Sequence, residues 1–100
     1  MLQNQLFYTT FPLAEIQRCI VHQIRYSTKF ISYKDIRAFM KDLKLVYKAD
    51  TEQLALEALD MLEENWCGKY PSSIASWRNN WPQLSTYFKY PGEIRKLIYT

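Results

Sequence analysis

The single histidine of this chain lies three positions after a cysteine, in the stretch Cys19-Ile20-Val21-His22. A thiol and an imidazole at that spacing raise two kinds of chemistry. Structural zinc takes four ligands, mostly Cys and His. The chain holds two Cys and one His, so Cys67 and a carboxylate would have to complete the set. A nucleophile pair instead needs the thiolate within hydrogen-bond reach of the ring, with a third group orienting the base. The third reading is a buried structural cysteine beside a hydrogen-bonded histidine, and the residues alone favour it.

The carboxylates offer less. Two-metal cleavage of phosphodiesters needs acids converging from different elements. Before residue 35 the only acid is Glu15, and the rest fall mostly at solvent-facing helix positions. Glu93 sits in a first turn, where its charge suits the helix dipole. The segment from Ser76 to Thr100 is richer, interleaving two Trp, four Tyr or Phe and four Lys or Arg. Arginine beside aromatic rings can stack on unpaired bases and bind phosphate. The same pattern also fits a small helical core with cation stems lying along it. Trp77 and Trp81, four apart, suit core positions.

The elements that would carry these residues are mainly helical. Two Gly and four Pro in 100 residues argue against a β architecture built on tight turns. With 48% hydrophobic and 16% aromatic residues, the chain can bury a core. A net charge of +3 with no polybasic run is compatible with nucleic acid without implying it. Two cysteines make no disulfide framework, so a cytoplasmic setting is expected. The N-terminus lacks the pattern of a signal peptide. No apolar run is long enough for a membrane span.

Along the chain, residues 1–10 show no period, and Phe11-Pro12 punctuates them. From Ile16 to His22 the β-branched content favours a short buried strand. Ile16, Ile20 and Ile24 at i, i+4 and i+8 would equally suit a helix. A short helix is expected over residues 23–30. Ser32 to Lys48 reads as a helix with a capping-box-like start at Ser32 and Asp35. Its apolar stripe is Ile36, Phe39, Met40, Leu43, Val46 and Tyr47, and Lys34, Arg37, Lys41, Lys44 and Lys48 occupy much of the rest. Asp50 or Thr51 caps the next helix, which buries Ala55, Ala58, Leu59, Leu62 and Trp66 and ends at a left-handed Gly68. Pro71, Pro82 and Pro91 would each open a further short helix.

These words together resemble a known family. "EIQRCIVHQIR", "YKDIRAFMKDLKLVYKA", Ser76-Trp77-Arg78-x-Asn80-Trp81 and Phe88-Lys89-Tyr90-Pro91 occur in one order from about Phe11 to Thr100. They resemble the Mutator-type transposases of bacterial insertion sequences. The resemblance implies a DDE transposase, in which an RNase H-like domain holds Mg²⁺ with two Asp and one Glu. A helical insertion separates a core strand from the helix that carries the Glu. The fold expected here is therefore mainly α, the helical insertion domain of an RNase H-like DDE transposase. At most one core β-strand is expected, near residues 16–22. Residues 1–10 would be a lead-in without family match, 11–31 a remnant of the core and 32–100 the insertion.

The resemblance also sets the site residues. Cys19, His22, Trp77, Arg78, Asn80 and Trp81 match the family signature. The family's second Asp lies upstream of the match to Phe11-Pro12, where residues 1–10 contain no acid. Its Glu lies in a Thr-Asn-Ala-x-Glu word just beyond the match to Ile98-Tyr99-Thr100. All three catalytic acids are then missing from this chain, so no catalytic residue, metal ligand or cofactor is assigned to it; Mg²⁺ belongs to the intact family. The expected function is a truncated, non-catalytic transposase fragment. The alternative is a small helical DNA-binding or transposase-regulatory module. Arg18, Arg25, Lys29, Arg78, Lys89, Arg95 and Lys96 are the candidate DNA contacts. Transposon-end DNA or an intact transposase are the expected partners, with self-association and no membrane.

Overall fold

At 100° per residue, the segment that opened the sequence analysis sorts into two clean faces. Ile16, Ile20, Gln23 and Ser27, at i, i+4, i+7 and i+11, are buried. Arg18, His22, Arg25 and Lys29, at the same spacing, are exposed. A strand would have put Ile16, Arg18, Ile20 and His22 on one face, mixing cations with core. The helical period separates them, and the segment is helix α1, Leu2–Lys29. The strand expected near residues 16–22 is therefore not formed, and the separate helix expected over 23–30 is the end of α1. The computed structural model describes the backbone of residues 2–99 and the side chains of residues 14–99. The backbone of α1 runs on through Phe11-Pro12, so the break expected there is not formed.

Four further α-helices follow: α2, Ile36–Tyr47; α3, Glu52–Trp66; α4, Pro71–Leu84; and α5, Gly92–Tyr99. A 3₁₀ segment, Ser85–Lys89, joins the last two. Among the described residues there is no strand, and the chain is mainly α. None of its described helices is long and apolar enough to cross a membrane. α2 packs on α3, while α1 packs on α4, α5 and the 3₁₀ segment, and α3 against α4 links the two groups. The shared core includes Phe39, Leu43, Leu59, Leu62, Trp77 and Tyr87.

Local chemistry sets the ends. Thr51 caps α3, its hydroxyl accepting from the Leu54 N–H at 3.1 Å. α2 begins at Ile36 rather than Ser32, because Asp35 makes no cap bond to its own helix. Its carboxylate instead accepts from the Tyr70 hydroxyl at 2.7 Å and from Lys69 at 3.0 Å. Those two donors, Tyr70 first, hold the Asp35 carboxyl below the usual aspartate range. Gly68 is not left-handed. The chain leaves α3 by continuing right-handed turns, with Lys69 and Tyr70 N–H both donating to the Trp66 carbonyl. Pro71 does open α4. Pro82 does not start a helix but lies in the last turn of α4, where its missing N–H takes away one i→i−4 bond and the helix soon tightens to 3₁₀.

Candidate nucleic-acid interface

The Ser76–Trp81 word sits on α4 against the polar half of the buried face of α1. Gln23 and Ser27, one turn apart on α1, meet it. The Gln23 amide donates to the Ser76 hydroxyl at 2.7 Å and accepts from the Asn80 amide at 2.8 Å. The Trp77 indole N–H donates to the Ser27 hydroxyl, which itself donates to the Gln23 carbonyl at 2.6 Å. The Ser73 hydroxyl donates to the Ser27 carbonyl at 2.9 Å. Polar groups buried in a core must be paired, and a paired network fixes one register between two helices. Trp77 and Asn80 thus act as the clasp between α4 and α1. Gln23 and Ser27 complete it, and their i, i+4 spacing in "HQIRYST" was the available signal.

The remaining signature residues divide in the same way. Arg78 grips α3: its guanidinium meets Asp60 at 2.5 Å and Glu63 at 2.6 Å. Asp60 first, and Glu63, hold it more firmly protonated than usual. The Trp81 indole donates to Glu52 at 3.1 Å and its ring stacks on Phe88. Cys19 is half-buried and His22 is exposed, on adjoining turns of α1.

Arg95 is buried and turned to the C-terminal end of α2, donating to the carbonyls of Ala49 and Asp50. Tyr87 donates to the Tyr47 carbonyl at 2.7 Å beside it. Tyr87 thereby satisfies one of the carbonyls that the end of α2 leaves without a partner, and the Arg95 cation, bound to the link just beyond, suits that end of the dipole. Burial pushes the Tyr87 hydroxyl pKa up, keeping it a donor. Arg95 and Arg78, two of the candidate DNA contacts, are therefore engaged within the fold.

The exposed cations form two lines. On α1, Arg18, Arg25 and Lys29 share a face with His22; Arg18 lies 3.6 Å from Glu15. On α2, Arg37, Lys41 and Lys44 at i, i+4 and i+7 are exposed, and Lys34 and Lys48 lie just beyond the two ends. Arg37, Lys41 and Lys44 border an open groove of about 320 Å³ with Ile36 and Met40. Among the described residues no carboxylate pairs with these three cations. The one acid of α2, Asp42, faces α3, where it accepts from the Trp66 indole at 2.8 Å. The α2 face is thus uniformly cationic over about 21 Å from Lys34 to Lys48. Lys89 and Lys96 are exposed at the end of the 3₁₀ segment and on α5. The α2 cations are visible in the sequence at helical spacing, occupying much of the helix outside its apolar stripe.

The profile of a family described as "Transposase, Mutator family" matches residues 4–100. The chain belongs to the Mutator family of transposases. It is similar to a transposase for insertion sequence element ISRM3 of Rhizobium meliloti, 43% identical over 91 residues, which are 90% of this chain and 23% of that protein. A probable transposase of Corynebacterium diphtheriae is 38% identical, over 91% of this chain and 27% of its own. The transposase for IS905 of Lactococcus lactis is 28% identical, over 97% of this chain and 25% of its own. The chain therefore spans about a quarter of the length of the curated relatives it matches.

In this Mutator-family chain, among the described residues, no three of His, Cys, Asp and Glu converge closely enough to hold a metal ion. Five of the ten acids are engaged elsewhere: Asp60 and Glu63 on Arg78, Glu52 on Trp81, Asp42 on Trp66 and Asp35 on Tyr70. The described residues do not fit a Mg²⁺ site.

Proposed function

We propose that this chain is a DNA-holding helical module of a Mutator-family transposase. Strand cleavage and transfer are assigned to a whole transposase; the curated relatives are roughly four times the length of this chain. The partner is transposon-end DNA, gripped through its phosphates by the outer face of α2. The observation that carries this is the α2 line itself: exposed cations at helical spacing, their own acid turned away, with no carboxylate among the described residues paired with Arg37, Lys41 or Lys44. A face of one sign raises the local concentration of a polyanion and speeds its capture. Phosphate contacts of this kind fix position and carry no base sequence information directly.

The reading predicts salt-sensitive duplex binding by the chain alone. Each phosphate contact contributes about −0.9 to the slope of log K against log salt. Three to five contacts give a slope between about −3 and −4.5. Fluorescence anisotropy of a labelled duplex, titrated across a series of salt concentrations, measures it. A slope near zero, or no binding at low salt, refutes the reading.

A further inference from the structure

The aromatic rings best placed to meet an unpaired base do not lie in the Trp77–Phe88 segment. Trp77 and Tyr87 are buried, and Trp81 stacks on Phe88. The exposed rings on the cationic side of α1 are Tyr26, 41% exposed, and Phe30, 53% exposed. Each directly follows a cation: Arg25-Tyr26 and Lys29-Phe30, one helical turn apart. Lys29 Nζ stands 5.7 Å from the centre of the Phe30 ring, and the two rings meet edge to face at 5.5 Å. They form one wall of an open groove of about 350 Å³, a volume within the range of ligand clefts. Lys69, Tyr70 and Pro71 form the other wall.

We propose that this groove takes an unpaired nucleotide of the bound DNA, its base stacked on Tyr26 or Phe30 and its flanking phosphates reached by the exposed Arg25 and Lys29 beside the groove, Lys69 being held by Asp35. A nucleotide is a flat apolar face joined to an anion; the groove offers aromatic surface from Tyr26, Phe30 and Tyr70 with Lys69 at its rim, and the exposed cations Arg25 and Lys29 precede its two exposed rings in the chain. Stacking of this kind is tolerant of base identity, because every base has a π-face. An unpaired nucleotide enters more readily than a paired one, which must first unstack. The inference rests on the reading that the chain holds DNA, and it adds a second contact distinct from the α2 face.

The test compares two labelled probes by anisotropy: a blunt duplex and the same duplex with a short oligothymidine overhang. The chain is expected to bind the overhang probe about tenfold tighter. The double variant Tyr26→Ala/Phe30→Ala loses that preference and keeps its blunt-duplex affinity within about twofold. Phe30→Leu, which keeps the apolar bulk and the fold but not the ring, loses most of the preference as well. Equal affinity for the two probes, or a preference that survives the double variant, overturns the groove and leaves α2 standing. Binding of the overhang probe without the blunt duplex overturns the α2 reading and keeps the groove. Binding of neither overturns both.

Discussion

Replacing Trp77 with Ala destabilises the chain by about 3–5 kcal/mol. Trp77 is 1% exposed at the junction of α4 and α1, so the substitution opens a cavity that five short elements cannot readily close. It also removes the indole N–H from the buried Ser27 hydroxyl, which keeps its own bond to the Gln23 carbonyl, so one lost hydrogen bond adds about 0.5–1.5 kcal/mol. A domain of this size has about 5–15 kcal/mol to lose. Trp77→Phe separates the two contributions, because it keeps most of the ring volume and loses only the donor. It is expected to cost less than half as much. Urea denaturation measures both, read as a shift of midpoint at constant slope. A loss under about 1 kcal/mol for Trp77→Ala would mean that the clasp between α4 and α1 is not what holds the fold together.

Neutralising Arg37, Lys41 and Lys44 together, each to Gln, has the opposite profile: little effect on stability and a large one on DNA. All three are exposed, and exposed substitutions move stability by only about 0.5 kcal/mol each. Gln keeps helix propensity close to that of Lys and Arg. Losing three phosphate contacts lowers the salt slope by about 2.7. With affinity near 1 M salt unchanged, that is a loss of more than about a hundredfold at 0.1 M. Anisotropy with the blunt duplex reads the affinity, and circular dichroism confirms that the helix content is unaltered. The same substitutions leaving the slope within about 0.5 of the parent would place the phosphate contacts elsewhere.

The sequence and the structure agree where the governing physics is local. Thr51 begins α3 because a hydroxyl before a helix accepts a backbone N–H wherever it occurs. Of the apolar stripe expected for α2, Phe39, Leu43, Val46 and Tyr47 are buried, while Ile36 and Met40 are half-buried at its edge. The stretch from Ile16 to His22 was harder. Its apolar residues fit two periods, and what decided the matter was Gln23 and Ser27, polar residues that bury only because Ser76, Trp77 and Asn80 arrive from more than 45 positions away. A short window sees no reason to bury a glutamine.

The site was legible in a similarly uneven way. The family words led to Trp77, Arg78 and Asn80, and these residues are architecture: a clasp on α1 and a clamp on α3. Basic residues among aromatics suggested DNA contacts, but Arg95 faces the carbonyl end of α2, a partner about 45 residues distant in sequence. The α2 cations are plain in the sequence but stand outside the candidate contacts, because nothing in the sequence sets a cationic helix face apart from an ordinary solvated one. Their meaning depends on Asp42 turning to Trp66, which leaves no negative charge on that face, and only the packing of α2 on α3 shows this.

The central claim is that DNA lies against the outer face of α2. Backbone amide NMR of the isotopically labelled chain, titrated with a short blunt duplex at low salt, tests it most directly. The account predicts that the shifting amides cluster from Lys34 to Lys48, and that the changes reverse when salt is raised. Shifts confined to α3 or α5, with the Arg37, Lys41 and Lys44 amides unmoved at saturating DNA, would contradict it.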